Sequence, residues 1–341
     1  MDGIRYEFDA PPENGTTLAL DEGLTWLRMP LPFSLNHINL WLLRDENGWV
    51  IVDTGIDTNT SRDVWRKVFR DGMRNEPVTH VIVTHLHPDH AGCANFLVEE
   101  FDADLWMSRE EYLLCRVLVG DTGKDAPREG VQFYRAAGFT DEQIALYRAN
   151  FGMFGKFVKG MPQSHRRLQG GDVLSLAGFD WEVVVGRGHS PEHACLYDRN
   201  RNVLISGDQI LPTISPNISV WPTEPRANPL QDFLDSIDRL EETLDEDVLV
   251  MPAHGKPFRG AHARLEELRK EHTDRLGVLM DNGHEPRRVV DTFPDLFGRA
   301  INDGNRIMAT GEALAHLHYL VATGDMLAAT DKHGVRWFQR A

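Results

Sequence analysis

The chain has 341 residues, a formal net charge of −16, 41% hydrophobic residues and 26% charged residues, which fits one large α/β domain with a small appendage or two medium domains. The acidic balance argues against a general nucleic-acid-binding protein, because such proteins need Lys and Arg to displace the counterions of the phosphates. No apolar run approaches the roughly 20 residues that a membrane-spanning helix needs. The acidic N-terminus and three scattered cysteines favour a cytoplasmic protein that does not act at a membrane.

The first hundred residues alternate between β-rich and helical segments. Short apolar runs predict strands over 24–29, 38–43, 49–53, 78–84 and 103–107. Apolar residues at helical spacing predict helices over 60–71 and 91–101. This half of the chain therefore supplies both sheet strands and the helices that cover them.

The next segment, about 108–162, has a helical composition and no strand periodicity, and we interpret it as a helical insertion. Apolar runs then predict strands over 172–176, 181–186, 194–197, 203–206 and 248–251. A helix over 229–244 precedes the last of them. Strands interleaved with covering helices indicate a layered α/β sandwich.

The end of the chain, 262–341, changes to helices. The pattern predicts helices over 263–279, 287–293 and 306–322, followed by a hairpin of 326–330 and 335–339. Three helices and a hairpin are typical of a winged-helix-like domain. We therefore predict a catalytic domain over 1–261 and a winged-helix-like domain over 262–341.

The strongest motif directly follows the predicted strand 78–84. In His85-x-His87-x-Asp89-His90, four side chains that can bind a metal fall within six residues. A loop that leaves a strand is free of the strand's side-chain alternation, so all four can converge. Zinc-type centres need at least three protein ligands, so this run predicts a metal site.

Three more candidate ligands also follow predicted strands: His189, Asp208 and His254. Side chains just past buried strands can meet at one edge of a sheet sandwich. We therefore expect these three residues to complete the metal site.

Taken in order, these motifs resemble the metallo-β-lactamase superfamily, and within it the glyoxalase-II-like hydrolases with two metals. Val52-Asp53-Thr54-Gly55 is similar to the family's early strand-end motif, and the terminal region resembles the winged-helix appendage of some members. The resemblance implies a four-layer αββα sandwich and two divalent ions, with zinc as the expected metal and iron or manganese as alternatives. It implies that His85, His87 and His189 bind the first ion, that Asp89, His90 and His254 bind the second, and that Asp208 bridges both.

The same resemblance implies a hydrolase that uses a metal-bridging hydroxide to cleave a thioester, ester or lactone of a small-molecule acyl substrate. Asp89 would be the catalytic residue, and Asp53 would contact the ligands rather than the metals. His193 comes shortly after His189 and just before a predicted strand, and from this position we expect it to contact the ligands or to pack in the core rather than to bind metal.

We place Asn217 and Trp221 in the substrate pocket, since they lie on the long loop after Asp208 and such a loop beside a metal site often shapes the pocket. We add His37, whose segment 34–39 is expected near the path of a substrate.

Two other functions stay open at this point. One is cleavage of phosphodiesters, as in nucleases of the superfamily, although nearly equal numbers of basic and acidic residues over 262–341 argue against nucleic acid as a partner. The other is persulfide oxidation at a single iron, which would leave Asp89, His90 and His254 without a metal. The apolar surface of the helical insertion could also support a homodimer.

Overall fold

Two large β-sheets stack face to face in the computed structural model, which describes residues 3–21, 23–298 and 300–341. The strands of these residues are β1 (Arg5–Tyr6), β2 (Thr17–Asp21), β3 (Leu24–Pro30), β4 (His37–Asp45), β5 (Gly48–Val52), β6 (Val78–Ile82), β7 (Asp104–Ser108), β8 (Arg166–Leu168), β9 (Val173–Leu176), β10 (Phe179–Gly186), β11 (His193–Asp198), β12 (Val203–Gly207), β13 (Leu249–Pro252), β14 (Phe258–Arg259), β15 (Arg287–Arg288), β16 (Met326–Thr330) and β17 (Arg336–Arg340).

The helices of the described residues are α1 (Asn59–Lys67), α2 (Pro88–Ala91), α3 (Ala94–Phe101), α4 (Arg109–Gly120), α5 (Arg128–Ala136), α6 (Asp141–Asn150), α7 (Phe154–Phe157), α8 (Pro229–Thr243), α9 (Ala261–Asp281), α10 (Phe293–Leu296) and α11 (Arg306–Thr323). A π-helical turn, Val68–Gly72, extends α1, and a 3-10 turn, Val289–Thr292, precedes α10. Helices α4 to α7 form the predicted helical insertion. Among the described helices, none combines the length and the apolar character needed to cross a bilayer.

Each large sheet is mixed. The first has the order β2-β3-β4-β5-β6-β7-β8 and the second β1-β14-β13-β12-β11-β10-β9. Strands β5 to β8 pair in parallel, as do β12 and β13. Parallel neighbours need a crossover connection, and helices α1, α3 and α8 belong to these crossovers.

Three apolar clusters hold the layers together. Along β4, Leu40 and Leu42 face one cluster with α1 and α3, whereas Trp41 and Leu43 face the other sheet. This alternation of a fully buried strand gives the first sheet two apolar faces. A third cluster packs the outer face of the second sheet against α8, α9 and α11. The result is the predicted αββα arrangement.

The terminal region shares this third cluster. Phe233 of α8 lies in it together with Leu265 of α9 and Leu317 of α11, so the core continues across the predicted boundary at residue 261. A separate three-stranded sheet, in the order β15-β17-β16, closes the chain. Whether this region is a winged-helix domain stays a prediction.

The predicted helix over 287–293 is wrong. Arg288 is extended, with ψ of 165°, and pairs with Trp337 of β17. The Asp291 carboxylate accepts hydrogen bonds from the backbone N–H and the guanidinium of Arg288, which stabilises a short turn instead of a longer helix. A four-residue helix, α10, begins only at Phe293.

Candidate metal centre

The predicted metal motif leaves the sheet after β6. Pro88 stands in the first turn of α2, a position that suits its fixed φ and missing N–H. The short helix therefore begins directly after His87 and turns His90 back toward the strand end. His85 Nε2 lies 2.9 Å from His87 Nδ1, and the His85 and His90 rings are 4.0 Å apart between centroids.

Strands of the second sheet bring the remaining candidates to the same edge. His189 follows β10, Asp208 follows β12 and His254 follows β13. His189 Nε2 lies 3.3 Å from His85 Nε2. Ligand atoms of His85, His87, His189 and Asp208 form one group within 4.8 Å of one another, and those of Asp89, His90 and His254 form a second such group.

Asp208 lies between the two groups. Its Oδ2 is 3.4 Å from His189 Nε2 in the first group, and its Oδ1 is 3.4 Å from His254 Nε2 in the second. Asp89 Oδ2 lies 3.3 Å from the same His254 nitrogen. All seven predicted ligands therefore meet in one place, with Asp208 placed as a bridge would be.

The far nitrogens of three of these histidines are held by fixed acceptors. His90 Nδ1 lies 2.8 Å from Asp53 Oδ2, His189 Nδ1 lies 2.9 Å from the Asn217 carbonyl, and His254 Nδ1 lies 2.8 Å from the His37 carbonyl. Each Nδ1 then donates its proton outward, and each Nε2 is directed at the centre, where it can bind a metal ion in place of a proton. Such outer partners are typical of metal-binding histidines.

Asp53 holds the first loop as well as the His90 ring. The residue has a positive φ of 62° at the end of β5, and its carboxylate accepts hydrogen bonds from the Thr84 N–H at 2.8 Å and from the Thr84 hydroxyl. One buried carboxylate thus fixes both the start of the metal motif and one imidazole.

The chemistry of the donor set fits divalent metal ions. Within the described residues, His90 Nε2 and Asp208 Oδ1 are buried and lie 3.5 Å apart, and neither atom makes a hydrogen bond of acceptable geometry. Such an arrangement is costly for buried polar atoms unless another group satisfies them. Burial and the neighbouring imidazoles lower the pKa of His85 well below its usual range and that of His87 to about 3. Both rings are neutral at neutral pH, which is the form that binds metals.

The two carboxylates of the centre are ionised. Burial alone raises the pKa of a carboxyl group, but the nearby imidazoles of His90 and His254 outweigh it and lower the pKa of Asp89 to about 2. The same two imidazoles hold the pKa of Asp208 well below its usual range. In return, and against the effect of burial, Asp53, Asp208 and Asp89 raise the pKa of His90 well above its usual range, and Asp208 and Asp89 raise that of His254. The carboxylates thus attract positive charge at these two rings, a charge that a metal ion can supply in place of the ring proton. Imidazole and carboxylate donors together suit zinc, iron and manganese.

His193 and His37 both lie next to predicted metal ligands. His193 Nε2 accepts the Asp208 backbone N–H at 3.1 Å, and its ring stacks on His85. His37 lies beside His254, to which it offers its carbonyl, while its ring accepts the Gly255 N–H.

Asn217 and Trp221 lie on the long loop after Asp208. The Asn217 side chain bonds Glu312 and Ser219, whereas its carbonyl faces His189. The Trp221 side chain is partly exposed. Substrate contact by His37, Asn217 and Trp221 stays a prediction.

Glu111 holds two of the ligand-bearing segments in place, and the sequence analysis did not identify it. Its buried carboxylate accepts the Leu86 N–H at 2.9 Å and the Glu192 N–H at 2.8 Å, so it joins the His85–His87 segment to the loop that carries His189. Burial raises the pKa of this carboxyl to about 7. Nothing in the sequence separates it from a solvent-facing glutamate in the first turn of a helix.

Comparisons with known proteins agree with this geometry. The family model described as the metallo-beta-lactamase superfamily matches residues 34–254, and that of the metallo-beta-lactamase-like C-terminal domain matches residues 276–341. The first match spans the whole donor set.

Individual relatives cover most of the chain. An acyl-coenzyme A thioesterase, MBLAC2 of Bos taurus, is 26% identical over 76% of this chain and 87% of its own length. A probable metallo-hydrolase, YqjP of Bacillus subtilis, is 23% identical over 88% of this chain and 93% of its own. The crystal structure of a beta-lactamase domain protein from Burkholderia ambifaria superposes with a TM-score of 0.91 at 40% identity and covers 99% of this chain and 98% of that one.

Proposed function

Since this chain belongs to the metallo-β-lactamase superfamily and is a metallo-hydrolase of that family, we propose that it hydrolyses acyl thioesters at a centre of two divalent metal ions. The observation that carries the proposal is the convergence of seven donors in two groups, with Asp208 between them. A single-metal site would need only three or four of these ligands.

The residues of each group define where an ion would bind. His85, His87 and His189 would hold one, Asp89, His90 and His254 the other, and Asp208 would contact both. When bound, such ions polarise an acyl carbonyl and lower the pKa of a coordinated water to near 7. Zinc is the metal that we propose.

The chain's own residues prepare the site for hydrolysis. Asp53, Asn217 and His37 fix the tautomers of three imidazoles, so the donors are oriented before substrate arrives. Asp89 is ionised and accessible, with 21% of its side chain exposed. We assign it the role of orienting the attacking water and accepting its proton.

The thioester is the substrate bond supported by a relative, because the similar protein from Bos taurus is named an acyl-coenzyme A thioesterase. Esters and lactones present the same acyl carbonyl, and the same residues could act on them. We therefore rank the thioester first.

Two measurements on the purified protein test the proposal. Metal analysis should find about two equivalents of zinc, iron or manganese per chain. Assays with an acyl-coenzyme A thioester, a lactone and a bis-aryl phosphodiester should show the fastest turnover on the thioester. Turnover of the phosphodiester alone, or one iron per chain with oxygen consumption on a persulfide, would contradict the proposal.

A further inference from the structure

The loop that follows Asp208, residues 209–228, is held by the terminal helices. Arg264 of α9 is almost completely buried, with 2% exposure. Its guanidinium donates to the carbonyls of Leu211 at 2.7 Å and Ile214 at 3.0 Å. Burial of a charged side chain needs such partners, so this end of the loop is firmly attached to α9.

The middle of the loop is attached to α11. The Asn217 side-chain amide donates to Glu312 Oε2 at 3.0 Å, and Glu312 Oε1 accepts from Arg275 of α9 at 2.9 Å. The Ser219 hydroxyl donates to Asn217 Oδ1 at 2.5 Å. Both ends of the Asn217 amide are thus fixed, and the Glu312 side chain is only 14% exposed, so water screens its contacts weakly.

Backbone packing brings α11 close enough for these contacts. The Val220 N–H donates to the Gly311 carbonyl at 3.1 Å. A Cβ at Gly311 would lie 2.7 Å from the Ser219 Cβ, so only glycine allows the helix and the loop to approach this closely.

The chain of contacts ends on a metal ligand. The carbonyl of Asn217, whose side chain Glu312 holds, accepts the hydrogen bond from His189 Nδ1 at 2.9 Å. We infer that Glu312 is a positioning residue for the metal centre: through Asn217 it sets the orientation of the His189 imidazole, and the terminal helices thereby take part in metal binding. The inference rests on the proposed metal centre.

The physical reason is the dependence of a metal-binding imidazole on its outer partner. Loss of a direct outer partner weakens metal binding roughly 10- to 100-fold. Glu312 contacts His189 only through Asn217, so we expect a loss of metal affinity at the lower end of this range, about tenfold. Only the group that contains His189 should be affected directly, because His90 and His254 have other partners, Asp53 and His37.

Cobalt(II) titration of the metal-free full-length protein tests this inference. Cobalt binding is measured by competition with a chelator, and the visible absorption spectrum reports the ligand geometry. Glu312→Ala should weaken one of the two equivalents about tenfold and change the spectrum. Glu285→Ala, which removes an exposed carboxylate outside these contacts, is the matched control and should resemble the wild type.

Asn217→Ala and the double variant Glu312→Ala/Asn217→Ala complete the design. If the two residues act in one chain of contacts, the double variant should bind cobalt no more weakly than the weaker single variant. Additive losses would show that Glu312 acts by another route and would overturn the inference. Should Glu312→Ala not fold, Glu312→Leu, which keeps most of the side-chain volume but cannot accept the Asn217 hydrogen bond, takes its place with Asn217→Ala.

The outcomes separate this inference from the proposed function. A wild type that binds two cobalt ions and hydrolyses a thioester, beside a Glu312→Ala variant with wild-type affinity and spectrum, would overturn the inference alone. A wild type that binds fewer than two ions would contradict the proposed function.

Discussion

Asp208 is the residue on which both groups of donors depend. Its two oxygens face His189 on one side and His254 on the other at 3.4 Å each. Asp208→Ala should therefore lower the bound metal from about two equivalents to one or fewer and reduce thioester hydrolysis more than about 100-fold. Metal analysis and kcat measurements on the same samples check this. Asp180→Ala, at an exposed site on β10, is the control, and unchanged metal content in Asp208→Ala would contradict the bridging role.

Asp53 can be tested without changing its shape. Asn tolerates the positive φ of this position, but its amide nitrogen would meet a donor, either the Thr84 N–H or the His90 Nδ1–H. Asp53→Asn should then weaken metal binding roughly 10- to 100-fold because His90 loses its charged acceptor. Chelator competition measures the dissociation constant. Wild-type affinity in the variant would show that the charge of Asp53 is dispensable.

At the scale of single residues, the sequence predicts the metal ligands better than the residues that hold those ligands in place. His85 to His90 are close in the chain, and the other ligands each follow an apolar run, so their convergence could be expected. Glu312 and Asn217 are 95 positions apart, and their contact exists only because α11 packs against the loop. Such pairs arise from tertiary packing, which a single sequence does not display.

At the scale of elements, strands and helices are predicted correctly where burial of one or two faces gives the apolar residues a regular spacing. Strands β3 to β7 and helices α8, α9 and α11 each match a predicted segment to within a few residues, because one or two faces of each lie in an apolar cluster. Strands β2 and β8 were not predicted. β2 is a short edge strand and mostly exposed, so burial constrains its sequence only weakly.

Two of the three residues of strand β8 are arginines, so the segment lacks the apolar residues from which the other strands were predicted. The Arg166 guanidinium stacks over the Trp106 ring at 4.2 Å, and the strand pairs with β7 at the sheet edge. Charged residues on edge strands are a common protection against pairing with other chains. The strand was therefore missed because its sequence is dominated by charged residues.

Two helical glycines allow a matched test of the contact between α11 and the loop. Gly311→Ala would place a methyl group 2.7 Å from the Ser219 Cβ, and we expect a loss of about 1–3 kcal/mol in the free energy of unfolding. At Gly277 of α9 an added Cβ meets nothing within 4 Å, so Gly277→Ala should gain roughly 0.5–1 kcal/mol. Urea unfolding of both variants measures the difference, and equal effects would contradict the close packing at Gly311.

At the scale of the whole molecule, the metal centre lies where both sheets end. Loops after β5 and β6 of the first sheet meet loops after β10, β12 and β13 of the second. The apolar cluster between the sheets contains residues of both, including Trp41 and Trp181, and so fixes their relative position. The terminal helices, which pack in the outer cluster, hold the loop after Asp208. The geometry of the site therefore depends on both sheets and on the terminal helices.

The outer cluster also contains a buried histidine pair that should make global stability depend on pH. His272 of α9 and His316 of α11 are buried, and His272 Nδ1 lies 3.1 Å from His316 Nε2. His316 Nδ1 lies 2.8 Å from the Glu312 carbonyl, so His272 is the donor within the pair. Burial, together with the neighbouring imidazole and Arg275, lowers the pKa of His272 to about 2, and burial lowers that of His316 to about 4.

The sign of the effect follows from proton binding. Both rings stay neutral in the native state, whereas in the unfolded chain they bind protons below about pH 6.5. The free energy of unfolding should therefore fall as the pH decreases below about 6.5, by about 1.4 kcal/mol per unit and per histidine. This loss continues to about pH 4 for His316 and about pH 2 for His272.

His272→Asn tests this dependence, because the Asn amide can still donate to His316 but does not titrate. Between about pH 6.5 and pH 5, the variant should lose about 2 kcal/mol less than the wild type. Urea unfolding of the metal-free proteins measures both losses, and the histidines of the metal centre contribute equally to each. Parallel pH profiles would show that the pKa of His272 is the same in the native and the unfolded chain, and would contradict the prediction.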